Sequence, residues 1–263
     1  MIYLDETDIR QHVQFLNSQL QFDIFESIDS TNRFLKNQPS QDHIRICCAE
    51  TQTQGRGRFG RTWHSPMGEN IYFSAKYRFD CTLERLSGLS LVTSLAVIET
   101  LKELGLSNDL FIKWPNDILW NKRKLSGCLI ELAPNKKCVE VIIGIGINVN
   151  SNTQTNPLPD KPWCSLWDIS GTKHNRNRII GRLIEHLHQH LQSLISSGLK
   201  PFLAHWKKID TLYGQSITVS TPAGQITGRA DGIDDTGRLI LIDCNQHIHF
   251  LSSGETSLSK NPK

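Results

Sequence analysis

The run Gly55-Arg56-Gly57-Arg58-Phe59-Gly60-Arg61-Thr62-Trp63 separates the fold classes open to this chain. Gly55-x-Gly57-x-x-Gly60 has the spacing of a dinucleotide-binding turn, and a strand-like run, Ile44 to Ala49, precedes it. Such a turn must open directly into a helix. Here the chain continues Trp63-His64-Ser65-Pro66-Met67-Gly68, which breaks a helix. A protein-kinase glycine loop fails too: Ala75-Lys76 follows it, but His-Arg-Asp and Asp-Phe-Gly occur nowhere, and neither does a Walker A sequence. What remains is a loop for a small anionic ligand. Its glycines let backbone come close, its arginines offer forked donors to phosphate or carboxylate, and its tryptophan adds an apolar face. A solvated basic loop and a disordered arginine-glycine segment for RNA are the alternatives.

Around the loop the pattern mixes helices and strands. Residues 6–20 have one amphipathic helical period, and Phe22 to Ile28 reads as a strand with a helix cap after it at Ser30-Thr31-Asn32. Residues 44–50 and 70–77 alternate and read as strands. Leu83 to Leu104 carries apolar residues at the spacing of one long helix, stopped by Gly105. Strands are expected near 110–114, 125–132 and 139–147, a loop over 151–165, and a second long helix from Arg176 to Ser197 ahead of Gly198. From Gly214 only short strand runs remain, at 216–220, 225–230, 238–243 and 247–252, with turns at Ala223-Gly224 and Asp235-Thr236-Gly237. The chain thus divides into residues 1–211 and a small barrel-like β unit, 212–263.

The composition is that of a globular protein, with 38% hydrophobic and 21% charged residues in 263. A net charge of +3 does not by itself imply a nucleic-acid partner. No apolar run reaches the ~20 residues of a membrane span, and the N-terminal Met-Ile-Tyr-Leu-Asp-Glu does not read as a secretory signal. The seven cysteines include no Cys-x-x-Cys pair, which points to free thiols in a reducing cytoplasm rather than a disulfide framework or zinc site.

Three further strings carry chemistry. Phe111-Ile112-Lys113-Trp114-Pro115-Asn116-Asp117 ends a strand in a lysine, then stops the ladder with proline and an Asn-Asp pair. Lys124-Leu125-Ser126-Gly127 opens the next strand with small residues that admit a ligand to the backbone. Gly144-Ile145-Gly146-Ile147-Asn148-Val149-Asn150 is a glycine-thinned strand ending in amides. His186 and His190 share a helix face without a His-Glu-x-x-His pattern and read as solvated or at a rim. A Gly-x-Ser-x-Gly elbow is missing.

In order and spacing these strings resemble the biotin protein ligases: Gly55–Trp63, Lys113–Asp117, Lys124–Gly127 and Gly146–Val149, with Asp29–Asn32 and Glu50-x-Gln52 in register. The resemblance spans about residues 22–256. Phe59 stands where the family often has a basic residue. With about 20 residues before the first strand, the chain resembles the shorter class that lacks an N-terminal winged helix, so neither DNA binding nor repression is expected.

The resemblance implies an α+β fold, with a mixed β-sheet that has helices on one side, akin to class II synthetases, followed by an SH3-like barrel. It implies ATP-dependent formation of biotinyl-5′-AMP and transfer of biotin to a lysine of a biotin carboxyl carrier protein, with Mg²⁺ accompanying ATP. Lys113, Arg58 and Asp117 would be catalytic. Biotin would contact Ser30, Thr31, Asn32, Gln52, Gly55, Arg56, Gly57, Arg58, Trp63, Lys124 and Gly127. The nucleotide would contact Arg58, Arg61, Lys113, Asn116, Lys124 and Asn148. The like charges at 56, 58 and 61 suggest a loop that orders when ligand neutralises it. A cytoplasmic location is implied, no membrane partner is expected, and a homodimer is left open. A lipoate ligase and an RNA-binding module are the competing readings; the latter lacks an aromatic ladder.

Overall fold

The computed structural model describes residues 3–39, 42–106, 109–134, 138–154, 162–221 and 224–258. Ala223 and part of the 151–165 loop lie outside them. Seven strands form the main sheet in the order β1-β2-β3-β7-β6-β5-β4. They are β1 (Leu20–Ile28), β2 (Ile44–Gln52), β3 (Ile71–Phe79), β4 (Phe111–Lys113), β5 (Asp117–Trp120), β6 (Arg123–Pro134) and β7 (Val139–Ile147). β1 and β2 run parallel and every other neighbouring pair is antiparallel, so the sheet is mixed.

Alternation on the central strands sends side chains to two different environments. Phe73, Ala75, Tyr77, Ile143 and Ile145 join the main core, onto which α3 (Leu89–Glu103) and α5 (Arg176–Ser197) pack. Tyr72, Ser74, Gly144 and Gly146 face the other way. There the short α2 (Thr31–Lys36) packs Leu35 on Cys47 and Ile142. The long helices therefore share one side, as expected, and α2 alone stands over the face that carries the cleft described below.

Two helices are shorter than their periodicity. α1 ends at Gln11 and residues 17–19 form a 3-10 turn, because the Gln14 and Phe15 N–H groups both donate to the Glu185 carboxylate on α5 at 2.7 Å. The expected helix from Leu83 breaks at Ser87-Gly88: Gly88 takes φ 80° and a Cβ there would lie 2.7 Å from Leu199. Four helices or strands have no counterpart in the sequence reading: β5, α4 (Leu166–Ser170), α6 (Lys200–Ile209) and the last strand, Glu255–Leu258. All seven thiols are free. No helix among the described residues is long and apolar enough to cross a membrane.

The C-terminal sheet is five-stranded and antiparallel, ordered β11-β10-β9-β8-β12, with an SH3-like character. Its strands are β8 (Ser216–Thr221), β9 (Gly224–Ile233), β10 (Leu239–Ile242), β11 (Ile248–Leu251) and β12 (Glu255–Leu258). It meets the main body closely, since Trp114 Nε1 donates to Gly237 O at 3.1 Å and a Cβ on Gly237 would touch Leu91 of α3 at 2.9 Å.

Candidate active site

Where the ends of β4, β5, β6 and β7 meet the arginine-glycine loop, a cleft of about 870 Å³ opens. Every residue expected to be catalytic or to contact biotin or nucleotide lines it except Gly55. Gly55 is buried at the base of the loop, where a Cβ would meet Trp63 O at 2.4 Å. Its role is to let the two arms of the loop cross: Trp63 N donates to Gly55 O, Gly57 N donates to Arg61 O, and Arg56 bridges Thr62. Phe59 (φ 54°) and Gly60 (φ 73°) make the tip. The loop's charges already have partners: Arg56 lies 3.6 Å from Glu131, and Arg61 is ion-paired to Glu255 of β12.

Lys113 and Asp117 face each other across a tight β4–β5 hairpin whose turn holds a cis Trp114–Pro115 bond. Lys113 Nζ donates to Thr256 O at 2.6 Å. On β6 the register slips by one residue at Leu125, a bulge that re-aims the neighbouring side chain. Lys124 Nζ then sits 2.6 Å from Asp117 and 5.2 Å from the centre of the Trp63 ring. Arg58 donates to Asn116 Oδ1 at 3.3 Å. Burial pulls the Arg58 pKa down from its ordinary value, while Asp117 and Glu255 raise it, and the guanidinium stays charged. Five cationic side chains, from the loop, from β4 and from β6, thus line one cavity.

The opposite end of the cleft is neutral and polar. The Thr31 N–H and hydroxyl donate to Gln52 Oε1 at 3.0 and 3.1 Å, and Ser74 Oγ lies 2.7 Å from both Thr31 Oγ1 and Asn32 Oδ1. Ser30 caps α2. Glycine makes room on β7: a Cβ at 144 would lie 2.3 Å from Asn32 Oδ1, and one at 146 would lie 2.4 Å from the Trp63 ring. Gly127 likewise clears Lys124. Asn148 is structural in geometry, its Nδ2 donating to Lys124 O and Cys164 O.

Two lining groups, Trp63 Nε1 and Thr256 Oγ1, are buried without a hydrogen-bond partner. Buried donors in that state are completed by a ligand or by water. Sequence reasoning missed Tyr72, Trp163, Glu255 and Thr256 in the lining. The last two lie in the C-terminal sheet and belong to no motif; only the folded contact brings them to the cleft. As to metal, Asp117 and Glu255 are each paired to a cation. No trio of ligating groups among the described residues lies in the cleft.

Comparison with known proteins agrees with this geometry. Residues 24–148 match the biotin/lipoate A/B protein ligase family, and residues 212–259 match the biotin protein ligase C terminal domain. Identity is 32% over 261 residues to the biotin--[acetyl-CoA-carboxylase] ligase of Mycobacterium tuberculosis, covering 96% of this chain and 94% of the relative. It is 34% over 216 residues to the bifunctional ligase/repressor BirA of Escherichia coli, covering 81% of this chain and 67% of the relative. The structure of biotin protein ligase from Aquifex aeolicus in complex with biotin and ATP shares the fold with a TM-score of 0.76 at 28% identity, covering 91% of this chain and 99% of that one. From the cleft, the two matched segments and the near full-length relative together, the chain belongs to the biotin protein ligase family of enzymes.

Proposed function

We propose that this chain activates biotin with ATP as biotinyl-5′-AMP and then passes biotin to a lysine of a biotin carboxyl carrier protein. One observation carries the reading: Arg56, Arg58, Arg61, Lys113 and Lys124 line the same cleft. In the first step an oxygen of the biotin carboxylate attacks the α-phosphorus of ATP and pyrophosphate leaves. Two unit negative charges about 4 Å apart repel by roughly 4 kcal/mol near a protein surface, so positive charge is the main requirement. Lys113, at the strand end, contacts the carboxylate and α-phosphate in this account, and Arg58 and Arg61 hold phosphate oxygens. Arg61 leaves Glu255 to do so, an exchange of one carboxylate for a phosphate.

The ureido ring of biotin needs donors and acceptors in a neutral corner, which Ser30, Thr31, Asn32 and Gln52 supply. Trp63 covers the apolar chain, and Gly57, Gly127 and the Arg56–Arg58 backbone close around it. Asn116 and Asn148 sit on the nucleotide side. In the second step the carrier lysine's amine attacks the acyl carbon and AMP departs. Asp117 orients or deprotonates that amine once Lys124 has turned to the adenylate. Mg²⁺ comes with ATP as part of the substrate, because the cleft's own carboxylates are already paired and form no cage. The cations gathered here face Asp117, Glu131, Glu255 and one another, an arrangement that serves a small anion and gives no reason to assign a role in repression.

ATP–pyrophosphate exchange tests the reading directly. Exchange is expected with biotin and absent without an acid substrate. Exchange with lipoate in place of biotin would reverse the substrate assignment.

A further inference from the structure

Away from the cleft, α3, α5 and α6 bring together Glu99, Glu103, His186, His190 and His205. The sequence reading puts His186 and His190 in a solvated or rim position; His186 does sit at a rim, while His190 is more enclosed. His190 is 8% exposed, and both rings lie against carboxylates. We propose that Glu99, His186 and His190 form a divalent transition-metal site of the zinc class that ties α3 to α5.

The ligand atoms already converge. One Glu99 oxygen and one nitrogen from each ring lie within 4.8 Å of one another. Glu99 Oε2 is 3.2 Å from His190 Nε2 and 4.0 Å from His186 Nδ1. Around a tetrahedral zinc with bonds of about 2.0–2.1 Å, ligand atoms stand about 3.3 Å apart. A His-x-x-x-His pair on one helix face and a carboxylate from the facing helix is also a donor set that suits zinc, and not magnesium or calcium.

The second nitrogen of each ring is held as metal-bound histidines are held. His190 Nδ1 lies 2.8 Å from the carbonyl oxygen of His186, where it can only donate. His186 Nε2 lies 2.5 Å from Glu103 Oε2, where it also donates. The remaining ring nitrogens, His190 Nε2 and His186 Nδ1, both turn to Glu99, so one metal ion would answer all three groups. A carboxylate or backbone carbonyl on the second nitrogen is the outer shell that fixes ring orientation in metal sites.

His205 Nδ1, 3.5 Å from Glu99 Oε1, orients the other oxygen. A fourth position stays open to water.

The test uses the tag-free full chain, stripped with chelator and titrated with Zn²⁺ by calorimetry at about pH 7.5. A parallel titration with Co²⁺ follows the visible spectrum. The expected result is one Zn²⁺ per chain, a raised Tm, and d–d bands of nitrogen/oxygen-bound tetrahedral Co²⁺. Glu99→Gln should abolish uptake. Glu103→Gln keeps all three ligands and should weaken binding by about 10-fold, a loss that a bare structural ion pair would not produce. Circular dichroism confirms that both variants fold. Should one fail to fold, the other decides. No stoichiometric uptake by the unaltered chain, uptake unchanged in either variant, or a thiolate charge-transfer band would overturn the proposal.

Discussion

Gly144 and Gly146 are the two residues on which the shape of the cleft depends most closely. Each stands where any Cβ would enter an occupied space: the Asn32 amide at 144 and the Trp63 ring at 146. Gly146→Ala should displace Trp63 and with it the end of the arginine loop. Overpacking of this kind costs about 1–3 kcal/mol of folding stability, so the Tm should fall by a few degrees, and with Trp63 displaced biotin affinity should fall by about 10-fold or more. Calorimetric titration with biotin checks this. Asp243 gives a different residue-scale test. Hydrogen bonding from His249 pulls its carboxyl down to about 2, and its other oxygen accepts the Asn245 and His247 N–H groups at 2.9 Å. Asp243→Asn keeps those turn acceptors and removes the charge. The folded pKa lies below the unfolded one, so the charge stabilises above the ordinary carboxylate range and loses its effect as pH falls toward about 2. The variant should melt lower than the parent at pH 7, and the gap should close between about pH 4 and pH 2.

At the scale of elements, the sequence marks positions better than it marks ends. The Ser30 cap, the start of β6 and the Arg176–Ser197 helix are local signals, and local signals survive folding. The breaks in α1 and before α3 are not local. One is made by the Glu185 carboxylate more than 170 residues away, the other by Leu199 closing on Gly88. β5 was hidden because Pro115 reads as the end of a strand, whereas the chain turns in three residues and pairs back. Among element contacts, the Arg176–Glu50 pair ties the start of α5 to β2 at 2.7 Å, with both side chains almost wholly buried. Glu50 also accepts the Leu4 N–H at 2.6 Å. Removing one member of such a pair leaves a buried charge, at about 3–5 kcal/mol. Arg176→Met should lower stability by about that amount in urea unfolding, without altering the slope.

The whole molecule contributes what no segment shows. The C-terminal sheet does not stand apart from the cleft: Glu255 pairs with Arg61, and the Thr256 carbonyl receives Lys113. These contacts join two cations of the cleft to a strand about 140 to 195 positions further on. The motifs made the cationic ingredients legible. The Glu255 and Thr256 lining was not, because a Gly-Glu-Thr run opening a short strand has no distinguishing pattern. Glu255→Ala should leave Arg61 free. The expected result is tighter ATP binding with little change for biotin, measured as separate KM values in the exchange assay.

The central claim is that separate stretches of chain place cations in one cleft so that two negative reactants can meet. The most direct measurement compares Lys113→Ala with the parent for biotin affinity and for biotin-dependent ATP–pyrophosphate exchange on the same samples. Loss of one preorganised charge at the reacting centre costs about 10²–10³ in rate, so exchange should fall at least that far while biotin still binds. Exchange at the parent's rate in a variant that binds biotin normally would contradict the account.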